Sequence, residues 1–296
     1  MIAGIVVLYE PGMENIRHIR EYSSKVDIMY ILDNSKENHF SDVQSIIAEA
    51  KNGIDYEINE LSVNHNIVRY QHFESNIGLC AALNYGMKKV KKAGCEWALL
   101  MDDDSSLDTD IMNVYKKMLN VIDGNTVAVL APVHLHDRSK AHMYFGYQEI
   151  AWGMTSGCLY NTRIFSELGG FMEQLFVDCL DMDYCYRAHE AGYHVYECGE
   201  ATLKHHPAET KVFCLFGKEI LKYGYATAWR YEMQCKGLMW ILLRYKYSRD
   251  FATYIWKWLK VILFFKGKRD FFYGMVKGTK EGISLYKDYK RKTATR

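Results

Sequence analysis

Apolar and polar positions switch between two periods along the first half of the chain. Ile2–Leu8 is a continuous apolar run of strand length, and Glu14–Ser24 then places Ile16 and Ile19 at helical spacing. Ile28–Leu32 is a second apolar run and stops at Asp33-Asn34-Ser35. Asp42–Lys51 reads as a helix. Ile67–Phe73 alternates as a half-buried strand would and leads into Asn76-Ile77-Gly78. Leu79–Ala93 sets Leu83, Met87 and Val90 on one face and four lysines around the other. Trp97–Met101 is a further strand, Asp110–Ile122 a helix and Val127–Leu130 a strand. Strands alternating with helices predict an α/β fold, a mostly parallel sheet flanked by helices.

The second half has another texture. His142–Tyr160 reads as strand and turn, punctuated by Gly146, Gly153 and Gly157. Asp181–Ala191 is a helix with an acidic first turn, which suits its dipole, and Gly192 ends it. His194–Cys198 and Thr202–His205 are short strands. From about Phe213 the pattern is helical, aromatic and basic, so the chain divides into residues 1–212 and a C-terminal region, 213–296.

The feature that changes the picture most is Leu99-Leu100-Met101-Asp102-Asp103-Asp104-Ser105. An apolar strand ends on three consecutive carboxylates, although strands disfavour Asp and like charges repel. A hard divalent cation, Mg²⁺ or Mn²⁺, is the natural partner, because these ions take oxygen ligands and share them with nucleotide phosphates. The plainer reading is a solvated turn capping the next helix. Position favours the ion, since open α/β sheets bind ligands beyond the carboxyl ends of their strands. Tyr9-Glu10, Asp33-Asn34 and Asn76–Gly78 end three other strands and would line the same crevice. There Asp33 has the chemistry to accept from the N3–H of a pyrimidine. Taken singly, each is also ordinary turn chemistry.

Further along, Phe176-Val177-Asp178-Cys179-Leu180-Asp181-Met182-Asp183 precedes Arg187. Asp183 and Arg187 are four apart, the spacing of a structural pair on one helix face. Asp181 is then the carboxylate at the helix start, suited to a general base, with the plainer role of a helix cap. Lys204-His205-His206 offers imidazoles that can join carboxylates on Mn²⁺. A zinc site from Cys179, Cys185, Cys198 and His205 has none of the usual ligand spacings.

Composition bounds the rest. The 296 residues suffice for one large domain with an appendage. Eight cysteines without paired spacing point to reduced thiols in a cytoplasmic setting, and Ile2–Leu8 lacks the flanks of a secretory leader. Net charge is +1, but residues 1–215 hold 18 Lys and Arg against 30 Asp and Glu, and residues 216–296 hold 19 against 6. A basic appendage of that kind meets an anionic surface. Phe251–Phe265 carries no charge except Lys257 and Lys260, and is too short to span a bilayer but suited to lie on one with Trp256 and Trp258 at the interface. The alternative is a helical subdomain that packs on the core or on a second copy.

In order, the motifs Y-E-P-G, L-D-N-S, S-N-I-G-L, L-L-M-D-D-D-S, S-G-C-L-Y, G-G-F, F-V-D-C-L-D-M-D-Y-C-Y-R and K-H-H, from about Ile2 to Pro207, resemble the family 2 inverting glycosyltransferases of GT-A fold, within them the rhamnosyltransferase-like group. The resemblance implies a Rossmann-like GT-A domain with a C-terminal helical extension. It implies transfer of a sugar from a nucleotide donor, dTDP-rhamnose or a UDP-sugar, to a cell-surface polysaccharide or lipid-linked glycan. On that likeness Asp104 holds the metal, joined by Asp102, and Asp102 or Asp103 contacts sugar or ribose. Asp33 recognises the base and Asn76 and Gly78 flank the nucleotide. Asp181 is the catalytic base, and His205 or His206 sits on the metal side. Many relatives carry E-D where this chain has Leu180-Asp181, which leaves Asp178 as a rival base. The expected setting is the inner face of the cell membrane, with no nucleic acid partner and a possible homodimer through the C-terminal helices. The competing functions are a sugar-nucleotide nucleotidyltransferase, whose glycine-rich basic loop Tyr9-Glu10-Pro11-Gly12 does not supply, and a non-catalytic scaffold that binds glycan or partner proteins.

Overall fold

A computed structural model describes residues 1–48, 60–63, 66–138, 143–204 and 209–294. It divides into two compact units: Met1–Phe171 with Tyr184–His206, and Met172–Asp183 with Pro207–Arg296.

The first unit is built on a sheet of ten strands among the described residues. In chain order these are β1 (Ile2–Leu8), β2 (Ile28–Asp33), β3 (Glu60–Val63), β4 (Asn66–His72), β5 (Trp97–Asp102), β6 (Ser106–Leu107), β7 (Val127–Leu135), β8 (Tyr147–Glu149), β9 (Cys158–Asn161) and β10 (His194–Lys204). The sheet order is β3-β4-β2-β1-β5-β9-β7-β10-β6, with β8 on β10. The pairs β4-β2, β2-β1, β1-β5 and β7-β10 are parallel, and β9 runs antiparallel to β5 and β7. The apolar runs Ile2–Leu8 and Ile28–Leu32 are central strands covered on both faces, which is why they do not alternate.

Helices α1 (Met13–Ser23), α2 (Phe40–Ala48), α3 (Leu79–Lys92), α4 (Ile111–Leu119) and α5 (Thr162–Glu167) connect the strands. Ile16 and Ile19 of α1, Val43 of α2 and Tyr115 of α4 are buried against the core made by Val6, Ile31, Val68 and Leu99. Helix α3 comes close to the sheet at Gly86, where a Cβ would press on Leu32 and Ile5. Asp110 caps α4 by accepting from the Asn113 N–H. The two short strands expected at His194–Cys198 and Thr202–His205 are one strand, β10, with a bulge between Cys198 and Thr202.

Helix α6 (Leu180–Glu190) lies between α5 and β10 in the chain. The second unit was expected to be helical from Phe213, yet it opens on an antiparallel hairpin of β11 (Glu209–Leu215) and β12 (Lys218–Tyr225). The pattern missed it because the strands are largely exposed and show little apolar alternation. Helices α7 (Ala228–Tyr245), α8 (Ser248–Phe264) and α9 (Lys268–Ala294) complete the unit. Tyr231, Cys235, Val261, Phe265, Phe271 and Met275 form its core. Glycines let α9 approach α7: a Cβ at Gly274 or Gly278 would run into the carbonyl oxygen of Ala228 or Glu232.

Helix α8 corrects one expectation. Lys257 and Lys260 do not face outward beside the tryptophans. Lys257 Nζ donates to Gln234 Oε1 (2.8 Å), Lys260 Nζ donates to the Gly224 carbonyl (3.2 Å), and both cations lie over the Tyr231 ring. Trp258 is half-buried. The exposed large apolar residues of α8 are Phe251, Ile255, Trp256, Leu259, Ile262 and Leu263. No helix among the described residues is long and apolar enough to cross a membrane.

Candidate active site

The parallel register brings four strand ends into line. Leu8 of β1 pairs with Asp33 of β2, Asp33 with His72 of β4, and Val7 of β1 with Asp102 of β5. Hydrogen bonds stitch the loops beyond them together. The Tyr9 N–H points at Asp103 Oδ2 (3.5 Å). The Glu10 N–H donates to Ser35 Oγ (2.8 Å), and Glu10 Oε1 accepts from the Lys36 N–H (2.9 Å). Glu10 itself takes a positive φ of 48°, a conformation most side chains avoid. Asn34 bridges to the third loop: its amide donates to Asn76 Oδ1 (2.9 Å) and its Oδ1 accepts from the Ile77 N–H (2.8 Å). Asn76 Oδ1 also accepts from the N–H of Gly78, which caps α3 at φ 86°. Thus Tyr9, Glu10, Asp33, Asn34, Asn76, Gly78 and Asp102 to Asp104 gather at one end of the sheet.

Asp33 is 0% exposed, and its carboxylate organises its own loop. Oδ1 accepts from the Ser35 N–H (3.0 Å), while Oδ2 accepts from the His39 N–H (2.9 Å) and from the Tyr70 hydroxyl. Burial would raise the pKa of such a group, but the hydrogen bonds from Ser35, Tyr70 and His39 outweigh it and hold the carboxyl below the ordinary range.

The acidic strand end is held from below. The Asp102 N–H donates to Ser156 Oγ (3.0 Å), which donates to Ser105 Oγ (2.8 Å). The Tyr22 hydroxyl donates to the Ser105 carbonyl, and His18 Nδ1 lies 3.2 Å from the Asp103 carbonyl. Burial, reinforced by the charges of Asp104 and Asp102, pushes the Asp103 carboxyl up to about 7. Carboxylate oxygens crowded in this way suit a hard divalent cation. Among the described residues no three His, Cys, Asp or Glu side chains form a cage for one. Mg²⁺ and Mn²⁺ commonly take one or two carboxylates and complete their shell with substrate phosphates. The donor set therefore fits such an ion when a diphosphate shares it. His205 and His206 lie outside the described residues.

Asp178 and Asp181 belong to the second unit. Asp181 is the second residue of α6, half-buried, and accepts from the Met182 N–H (2.8 Å). Asp178 has another character. Arg230 Nε lies 2.8 Å from its Oδ2, out of line for a hydrogen bond. Burial still pushes the Asp178 carboxyl above its ordinary value, against the pull of Arg230 and Lys257. Burial also pushes the Lys257 ammonium down. The backbone around Asp178 is strained, with positive φ at Phe176 (67°) and Cys179 (64°). Gly237 of α7 makes room for it, since a Cβ there would press on Cys179 and the Asp178 carbonyl. Asp183 is a support: its Oδ1 accepts from Trp240 Nε1 (2.7 Å) and the Tyr245 hydroxyl (2.9 Å).

A second hollow of the first unit, about 720 Å³, lies at the carboxyl end of β7. His134, Tyr144, Gln148, Trp152 and Glu197 line it. None of these carried a motif, because they come from three segments that only the fold brings together.

No protein-family model matches the chain. Over 131 residues, 38% of its length, it is 27% identical to the dTDP-rhamnosyl transferase RfbF of Shigella flexneri, and it spans 43% of that protein. Among solved structures it resembles S. aureus TarS 1-349 in complex with UDP-GlcNAc, with a TM-score of 0.57 at 11% identity over 98% of this chain and 91% of that one. It also resembles GalNAc-T7 with UDP, GalNAc and Mn²⁺, with a TM-score of 0.56 at 11% identity over 86% of this chain and 49% of that one. The chain has the GT-A glycosyltransferase fold. The acidic triplet closes the line of strand ends that runs from β4 to β5.

Proposed function

We propose that the protein is a metal-dependent inverting glycosyltransferase. It moves a sugar from a nucleotide-diphosphate donor to a hydroxyl of a cell-surface polysaccharide or lipid-linked glycan. The observation that carries this reading is the stitched line of strand ends that closes on Asp102, Asp103 and Asp104 in a GT-A sheet. Asp104 and Asp102 would hold the cation, with His205 or His206 beside it. When bound, the ion neutralises charge on the leaving diphosphate. Asn34, Asn76 and Gly78 fix the loops against the nucleotide. Asp33 sets the geometry of the loop that meets the base. Asp181 accepts the acceptor's proton as its oxygen attacks the anomeric carbon from the face opposite the leaving group. Asp178, locked against Arg230, positions the turn that leads into α6.

Rhamnose is the preferred sugar, from the likeness to RfbF, and UDP-sugars come second. The C-terminal unit places the enzyme at the inner face of an anionic membrane. The apolar exposed face of α8 is the contact, and the excess of Lys and Arg after residue 216 supplies the attraction.

Calorimetry with dTDP, UDP and GDP and their sugars, with and without Mn²⁺, tests the reading. Metal-enhanced binding of a pyrimidine nucleotide sugar, followed by transfer to a glycan, is the expected result. Tight GDP binding without dTDP or UDP binding would overturn the donor assignment. Release of diphosphate from a nucleoside triphosphate and a sugar phosphate would instead identify a nucleotidyltransferase.

A further inference from the structure

The hollow at the end of β7 has a chemistry unlike that of the strand-end site. Trp152 and Tyr144 give it aromatic walls, and none of its described lining residues is Lys or Arg. Its polar groups are fixed in advance. Glu197 Oε1 accepts from the Tyr144 hydroxyl (3.0 Å) and from Gln148 Nε2 (3.0 Å). The Tyr144 hydroxyl also reaches the Glu197 carbonyl (2.9 Å). His134 Nε2 lies 2.7 Å from the carbonyl of Ser156, the residue whose hydroxyl holds the Asp102 N–H. The hollow and the acidic strand end thus share one supporting residue.

A carboxylate with no Lys or Arg among the described lining residues disfavours phosphate. An aromatic wall facing planar hydrogen-bonding groups suits a neutral disc with an apolar face and a hydroxyl rim. The volume is that of a small-molecule site. We propose that this hollow is a pyranose subsite, in which Trp152 covers the apolar face of a sugar ring and Glu197, oriented by Tyr144 and Gln148, accepts from its hydroxyls. The assignment of that ring to the transfer reaction rests on the function proposed above. The ring belongs either to the donor or to the acceptor, and the same chemistry serves both.

Trp152→Ala and Glu197→Gln, made in the full chain and checked by circular dichroism melting, separate the two. Both variants are expected to bind UDP or dTDP within twofold of wild type. If the ring is the donor's, the affinity gained by the nucleotide sugar over the bare nucleotide falls about tenfold. If it is the acceptor's, that gain stays and the acceptor KM rises about tenfold. Folded variants with both quantities within twofold of wild type overturn the subsite. Should wild type bind no nucleotide at all, the transferase reading fails by itself. Saturation-transfer NMR with rhamnose, glucose and N-acetylglucosamine then decides the subsite: signal lost in Trp152→Ala supports it, and no signal from wild type overturns it.

Discussion

In the first unit, charge collects at one end of a sheet whose middle is wholly apolar. Asp33, Asp102 and Asp103 follow buried strands, and backbone N–H groups and hydroxyls hold them. In the helical unit the arrangement is reversed. Lys257 and Lys260 turn inward to Gln234, Tyr231 and Gly224, Asp178 is held by Arg230, and α8 turns Leu259 and Leu263 outward. A sheet can deliver several charges to one place because parallel strands end together. A helix spreads its side chains around its axis, so a cation that faces a core needs its own partner at each turn. The first unit thus concentrates charge at one edge of its sheet, whereas the inward-facing charges of the second are matched one by one.

The largest effect should come from removing charge at the strand end. Asp104→Ala, or wild type in excess EDTA, is expected to lose about 10³-fold or more in transfer rate, since a cation on the leaving group supplies several kcal/mol. Melting temperature should barely move, because Asp104 is exposed. Undiminished turnover in EDTA would mean that the carboxylates serve only as a turn.

Two aspartates three residues apart sharpen the contrast. Asp181→Asn should fold normally, keep donor affinity and lose about 10² to 10⁴ in single-turnover rate, the usual cost of a missing general base. Asp178→Asn should keep its rate within about tenfold. It should instead lose stability on the order of 1–2 kcal/mol, as Arg230 and Lys257 lose their counter-charge and the pair is partly solvent-screened. The reverse pattern, a dead Asp178→Asn beside an active Asp181→Asn, would move the base.

How much of this was legible follows from the same contrast. Continuous apolar runs that stop at Asp, Asn or Gly mark parallel strands and their ends, so β1, β2, β4 and β5 and the residues beyond them could be read from spacing alone. The role of Asp33 in its own loop could not, because Tyr70 and His39 reach it from other segments. The hollow with Trp152 and Glu197 was hidden for the same reason. In the helical unit Lys257 and Lys260 sit in a segment whose sequence suits an interfacial helix. Only tertiary partners such as Gln234 and the Gly224 carbonyl show that both ammonium groups turn inward. The exposed hairpin β11–β12 lacks the alternation that announces a strand.

Packing in the helical unit depends on glycine, and Gly278→Ala probes it. The added Cβ would overlap the backbone of Glu232, which cannot swing aside as a side chain would. A loss of about 3 kcal/mol in urea unfolding is expected, with donor binding by the folded protein unchanged. A loss below about 0.5 kcal/mol would mean that α9 shifts freely and that the close approach is not required.

A smaller effect concerns the buried carboxylate of the first unit. Tyr70→Phe removes one hydrogen bond to Asp33 and should cost about 2 kcal/mol at neutral pH. The folded-state pKa of Asp33 is lowered, so its contribution is complete above the ordinary carboxylate range and is lost as pH falls through the folded value. The gap between wild type and Tyr70→Phe in denaturant melts should therefore be flat from pH 7 to 5 and close at lower pH. A gap that persists unchanged at pH 3 would locate the effect in packing rather than in the charge of Asp33.

The smallest effect tests the apolar face of α8. Leu259 and Leu263 are 42% and 61% exposed, so their replacement should cost little stability. Leu259→Glu with Leu263→Glu should leave the melting temperature within a few degrees and weaken binding to phosphatidylglycerol vesicles about tenfold, since each side chain gives up the burial it would gain in lipid. Wild-type binding should fall with salt and be absent on phosphatidylcholine, because lysines and arginines near the surface supply the attraction. Brominated lipid should quench Trp256, and a Trp256→Phe variant should lose that quenching. Equal binding to both vesicle types, or none to either, would detach α8 from the membrane. A wild-type dimer in sedimentation that the double variant breaks would show that a second copy covers this face.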